Sequence, residues 1–160
     1  MALIIEDGSI VANANSYITD LELTDYADLR GTSYPTLSAD REFLIIKAMD
    51  YLNTFEYAGI RSEAENQLLD FPRYSIWVNE RYIQSNEIPR EIKYAQIEAA
   101  LAYNTQELLI NETVNNVQRE KLDVLEVSYF SGGKNSKVRL DKVNHYLKPF
   151  LIDTDTLVRV

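Results

Sequence analysis

Pro89-Arg90-Glu91-Ile92-Lys93-Tyr94-Ala95-Gln96-Ile97-Glu98-Ala99-Ala100-Leu101-Ala102-Tyr103-Asn104-Thr105-Gln106-Glu107-Leu108-Leu109-Ile110 is the stretch on which the fold turns. Pro89 suits a first helical position, because the N–H it lacks would have no partner there. No Gly or Pro follows up to Ile110. A helix over this whole span would be roughly 33 Å long at ~1.5 Å per residue. Tyr94, Ile97, Leu101 and Leu108 fall on one apolar ridge. Ala95, Ala99 and Ala102 form a shallow face beside it, where another helix can approach closely. The spacing predicts the central post of a helical bundle.

Upstream, Ala2–Ile5 reads as a short extended segment, ended by the turn residues Glu6-Asp7-Gly8-Ser9. Thr19 and Glu22 have the spacing of a capping box, with Ile18 and Leu23 placed as a hydrophobic staple. Leu23, Tyr26 and Ala27 supply the apolar stripe of a first helix, and Gly31 its stop. A second helix is expected from after Ser38 to about Phe55, with Leu44, Ala48, Leu52 and Phe55 along one face. Between Glu56 and Asn86 the period breaks, and a long structured loop with one short helix around Glu63–Leu68 is expected. Downstream, Leu125, Val127 and Tyr129 alternate with Glu126 and Ser128, which predicts a β-hairpin turning near Leu122-Asp123. A last helix is expected over Leu140–Lys148, ended or kinked by Pro149. The expected fold is therefore mainly α: about four helices in a bundle, a small β-hairpin, and extended N- and C-terminal segments.

The 160 residues carry 16 Lys plus Arg against 25 Asp plus Glu, for a formal net charge of −9. A protein that holds DNA by its phosphates relies on Lys and Arg, so this balance argues against nucleic-acid binding as the main task. The absence of cysteine removes disulfides, thiol catalysis and Cys-ligated zinc. The N-terminus has no basic region and only a short apolar run, unlike a signal peptide. No apolar stretch approaches the ~20 residues that cross a bilayer, so no membrane partner is expected.

Candidate chemistry is sparse. Gly133-Lys134 is followed by Asn135, and Ser128 stands where a phosphate-binding loop needs its first Gly. His145, the single histidine, has no nucleophile signature near it. The carboxylates Asp20, Glu22, Asp25 and Asp28 fall on the first helix, where acids in a first turn complement the helix dipole, and none has EF-hand spacing. No catalytic, cofactor-binding or metal-binding residue is expected, and no enzyme. One constellation stands out: Arg73, Tyr74, Trp77, Arg81 and Tyr82 interleave aromatics with arginine. Single-stranded nucleic acid wants that pattern, rings for bases to stack on and cations for the backbone. Tyr, Trp and Arg also gather in cores and subunit contacts.

Several short stretches together resemble one family of phage proteins. They are Leu3-Ile4-Ile5-Glu6-Asp7-Gly8-Ser9, Ala14-Asn15-Ser16-Tyr17, Leu69-Asp70-Phe71-Pro72-Arg73, Ile88-Pro89, Arg119-Glu120-Lys121 and Leu125-Glu126-Val127-Ser128-Tyr129. The family often bears the label "DnaT-like single-stranded DNA-binding protein" and is also similar to head–tail connector, or adaptor, proteins. The adaptor resemblance implies a structural virion protein, made in the host cytoplasm and placed at the head–tail junction. Its subunits would form a homo-oligomeric ring, a dodecamer, beneath the portal protein. The ring would touch tail or neck proteins, and genome DNA would pass through its centre without sequence-specific binding. An acidic channel wall fits that role, since it repels sliding DNA. On this reading residues 1–152 form one adaptor domain and 153–160 a tail. Phe150, Leu151, Ile152, Leu157 and Val158 would then order against the portal or a neighbouring subunit. The alternative is a single-stranded DNA-binding protein that uses Arg73, Tyr74, Trp77, Arg81 and Tyr82.

Overall fold

The computed structural model describes residues 2–109 and 140–152, together with the paired backbone of Glu120–Leu122 and Leu125–Val127. In chain order the elements are α1 (Asp20–Asp28), α2 (Ser38–Leu52), β1 (Ile60–Arg61), β2 (Arg73–Tyr74), β3 (Trp77–Val78), β4 (Arg81–Tyr82), α3 (Arg90–Tyr103), β5 (Glu120–Leu122), β6 (Leu125–Val127) and α4 (Asp141–Leu147), the last running into a 3-10 turn at Lys148–Phe150. The strands pair antiparallel as β1 with β2, β3 with β4 and β5 with β6. Four helices and these small two-stranded sheets make a mixed α/β domain rather than the mainly α bundle expected.

The N-terminal segment is organised by one carboxylate. Glu6 is buried and accepts from the backbone N–H groups of Gly8 (2.8 Å), Ile10 (3.0 Å) and Val11 (2.9 Å). Three donors satisfy the charge that burial would otherwise penalise. They also hold Ile10 at φ 63°, a region a β-branched side chain rarely enters. Next comes α1, with the capping box its sequence spells: the Glu22 N–H donates to Thr19 Oγ1 at 3.1 Å, and the Thr19 N–H donates to Glu22 Oε2 at 2.8 Å.

α2 and α4 both pack on α3, which is the central post. Ala95 and Ala99 are fully buried along it, as a close helix approach requires, whereas Ala102 is only partly covered. Gln96 is also fully buried, and it ties three segments together. Its Oε1 accepts from the Tyr17 N–H (3.0 Å), while its Nε2 donates to Ser16 Oγ (2.9 Å) and the Ile45 carbonyl (3.2 Å). α3 stops at Tyr103, seven residues short of Ile110, so it spans ~21 Å rather than 33 Å. Asn104 and Thr105 are weak helix formers, and both turn back 3-10-fashion onto the Leu101 and Ala102 carbonyls. Leu108 nevertheless reaches the core from the non-helical chain that follows. α2 likewise ends at Leu52, three residues before Phe55.

Residues 56–86 hold the largest departure from expectation. The helix predicted around Glu63–Leu68 is absent; a buried Gln67 fastens a turn there, donating to the Leu69 (2.8 Å) and Pro72 (2.9 Å) carbonyls. At the centre of this region Phe71, followed by a cis peptide to Pro72, meets Tyr17, Tyr57 and Phe150 edge to face at 6.4, 5.3 and 5.8 Å. The β5–β6 hairpin has the predicted position, with Leu122 opposite Leu125. α4 has the predicted bounds to within a residue, and Pro149 converts its end into the 3-10 turn.

Candidate nucleic-acid interface

The aromatic and arginine residues of 73–82 separate into an inner and an outer set. Arg73 points inward. Its Nε donates to the Ala58 carbonyl (2.8 Å), and its Nη2 to the carbonyls of Tyr57 (3.0 Å) and Gly59 (2.9 Å). Its Nη1 lies 3.5 Å from Asp70 Oδ1. Burial holds its pKa below the usual arginine value, an effect that the Asp70 charge opposes. Arg73 thus fastens the 57–59 segment to β2 and has no face left for a ligand. Tyr74 is half-buried, opposite Ile60.

The outer set stands on the β3–β4 hairpin. Its two-residue turn, Asn79-Glu80, has φ 48° and 65°, and two positive values in succession match the twist of a tight hairpin. Ile76 and Ile83 root the hairpin: both are buried, and the Ile83 N–H donates to the Ile76 carbonyl at 3.0 Å. Side chains alternate along a strand, so Trp77 and Tyr82 are turned outward. The two are directly opposite each other, their ring centroids 5.4 Å apart and their planes inclined at 62°. The hydrogen bond at the neighbouring pair leaves them at the non-hydrogen-bonded position, where side chains approach most closely. Trp77 is 68% exposed. The Arg81 side chain is exposed too and forms an ion pair with Glu87.

Glu87 is itself held in place. The Ser62 hydroxyl donates to the Ser85 carbonyl, and Gly8 presses against the loop so closely that an added Cβ would stand 2.0 Å from the Asn86 carbonyl oxygen. The loop ordered by Glu6 therefore supports the segment that carries Glu87.

A second aromatic cluster, read from the sequence as core stripes, lies where α1, α3 and α4 meet. Tyr94 is 5.0 Å from Tyr26 and 5.7 Å from Tyr146, ring to ring. The Arg30 guanidinium lies 3.4 Å above the Tyr26 ring centre, and that of Arg90 is 5.6 Å from Tyr94. The arginines were missed, although both sit at i, i+4 from a tyrosine (Tyr26–Arg30 and Arg90–Tyr94), the spacing that brings helical neighbours together.

Of the C-terminal residues assigned to a portal or neighbour contact, Phe150 and Leu151 have partners within the chain. Phe150 is completely buried in the chain's own core. Leu151 bridges to Tyr57, the Phe150 carbonyl accepts from the Ala58 N–H at 2.8 Å, and the Ile152 N–H donates to the Glu56 carbonyl at 3.1 Å. Ile152 remains half exposed. Leu157 and Val158 lie outside the described residues. Among the described residues no group of three His, Asp or Glu is placed to hold a metal ion. His145 is exposed beside Tyr146.

The geometry defines a small α/β domain that displays an aromatic pair and an arginine on a hairpin rooted by Ile76 and Ile83. Comparison with protein families matches residues 1–160 to the family described as "Putative DnaT-like ssDNA binding protein", and the chain belongs to that family. No curated protein and no solved structure matches it. The family assignment overturns the connector expectation, and with it the portal, tail and neck partners, the dodecameric ring and the virion role. That expectation rested on resemblance and on the acidic charge, and it had the apolar C-terminal segment order against a partner. Phe150 and Leu151 already have theirs within the chain.

Proposed function

We propose that this protein binds single-stranded DNA without catalysing a reaction on it, with Trp77 and Tyr82 as stacking faces and Arg81 as a phosphate contact. The observation that carries the reading is Trp77, a large aromatic side chain left 68% exposed on a hairpin anchored by two buried isoleucines. An exposed ring on a fixed support presents its face to a base at little cost in conformational entropy, and base–aromatic stacking contributes ~1–3 kcal/mol per base. The family description points the same way.

The net charge of −9 opposes long-range attraction of DNA. The cations are unevenly spread along the sequence, however: residues 134–148 contain five Lys and Arg (134, 137, 139, 142, 148) and one acid, Asp141. Binding is accordingly expected to be weak at physiological salt and to strengthen steeply at low salt.

Trp77 is the one tryptophan in the chain, so its fluorescence reports on the site directly. Titration with an oligodeoxythymidylate at about 50 mM salt should give saturable quenching that is largely lost by about 200 mM. Anisotropy of a labelled strand should show Trp77→Ala binding at least ~5-fold more weakly, the lower end of one stacking contact. Unchanged fluorescence and unchanged anisotropy at low salt would remove this function.

A further inference from the structure

We infer that Arg30 and Arg90, each laid against a tyrosine ring, form a second, phosphate-gripping part of the interface, so that a bound strand runs from the Trp77 hairpin onto the face made by α1, α3 and α4. The inference rests on the single-stranded DNA reading above and extends it to Arg90 on α3 and to Arg30 in the turn after α1.

The tyrosines make a fixed bed. Tyr26 is buried, its hydroxyl donates to Glu98 Oε1 at 2.8 Å, and it lies 3.4 Å from the Tyr146 hydroxyl. Tyr94 and Tyr146 are half-buried around it. Bases cannot enter between rings already packed on one another, so this cluster does not repeat the role of Trp77. It orients cations instead. A guanidinium lying flat on a ring uses its face for the cation–π contact, while its five N–H donors point outward in the plane. Arg30 spends one of them on the Tyr26 carbonyl, at 3.2 Å. Arg90 has Glu91 as its ion-pair partner among the described residues, at a long 3.5 Å, with 73% of its side chain exposed. Both forks retain donors that match a phosphate in bidentate fashion, and contact with the Tyr26 ring at 3.4 Å already restricts Arg30.

The two parts adjoin along the chain. Trp77 and Tyr82 stack, Arg81 follows on the same hairpin and pairs with Glu87, and Arg90 lies three residues beyond Glu87 at the start of α3. Arg90 approaches Tyr94, which touches Tyr26, and Tyr26 carries Arg30. A strand has bases on one side and evenly repeated phosphates on the other. It would lay bases on the hairpin and phosphates across Arg81, Arg90 and Arg30, displacing Glu87 as the resident counter-ion of Arg81.

The test is a salt series of oligodeoxythymidylate binding, followed by anisotropy, for the wild type, Arg30→Gln/Arg90→Gln and Arg30→Lys/Arg90→Lys. Each lost phosphate contact on a single strand lowers the slope of log K against log salt by about 0.7. The glutamine pair should therefore lose about 1.4 from the slope, and the lysine pair should keep it. Trp77 quenching at saturation should be unaltered in both. Arg90→Gln alone, at a side chain too exposed to affect folding, should lose about 0.7 and keeps the test decisive if the double variant is unstable. A wild type that binds, with an unaltered slope in the glutamine variants, overturns the extension and leaves the hairpin site standing. A wild type that does not bind overturns both.

Discussion

Trp77 and Arg73 are four residues apart, and their surroundings give them opposite tasks. Trp77 stands outside the core, so Trp77→Ala should leave the denaturant midpoint nearly unchanged while weakening strand binding. Arg73 holds four backbone carbonyls, those of Tyr57, Ala58, Gly59 and Asp70, and faces the Asp70 carboxylate from within the fold. Arg73→Ala would strand those acceptors, and urea unfolding should show a loss of about 3 kcal/mol. Equal stability losses in the two variants would contradict this division. The sequence could propose both residues for DNA contact because interleaved Arg and aromatic side chains have the right chemistry. It could not separate them, because a side chain's direction in so short a strand depends on what lies beneath it. Ile76 and Ile83 decide that for Trp77 and Tyr82, and the 57–59 carbonyls decide it for Arg73.

Among the elements, α1 was legible almost in full, because a capping box is a contact between residues three apart that local chain geometry can satisfy alone. The paired strands of residues 60–82 were not, since two-residue strands carry no period to detect. The loop before α1 was legible as a turn, but its role was hidden: Gly8 is needed because the Asn86 carbonyl occupies the space of a Cβ, and its φ is 106°. Gly8→Ala should cost about 2 kcal/mol or more, measured by urea unfolding. It should also shift Trp77 emission in the folded state through the displaced Glu87 segment. α1 and α2 are joined by Asp20, which receives Arg41 Nε at 2.6 Å and Nη2 at 2.7 Å. Those hydrogen bonds from Arg41 hold the Asp20 carboxyl below its usual pKa. A carboxyl lowered in the folded state stabilises fully above its unfolded pKa of about 3.9 and loses that contribution as pH falls through the folded value. Relative to its own stability at pH 5, the wild type should thus lose more than Asp20→Asn as the pH falls, compared by urea unfolding followed by circular dichroism from pH 5 downward. Identical acid profiles would rule the pair out as a contributor.

For the molecule as a whole, the closing contact joins the C-terminal segment to residues 57–71, which the sequence read as separate. Phe150 fills the space beside Phe71, and Leu151 adds a bridge to Tyr57. Phe150→Ala should therefore destabilise the whole domain by about 3–5 kcal/mol in thermal or urea unfolding, whereas a tail that orders only on a partner would leave stability unchanged. By itself the sequence determined the helices with strong periods and caps, the hairpin at 120–127, the stop at Pro149, and the aromatic and arginine residues available for a strand. These are local properties, set by interactions within a few residues. Only the tertiary structure decided how far α3 runs, which face of each short strand is buried, that Phe150 belongs to the core, and that Arg30 and Arg90 lie on tyrosines. Each depends on contacts between distant parts of the chain, where packing of one segment outweighs the intrinsic preference of another.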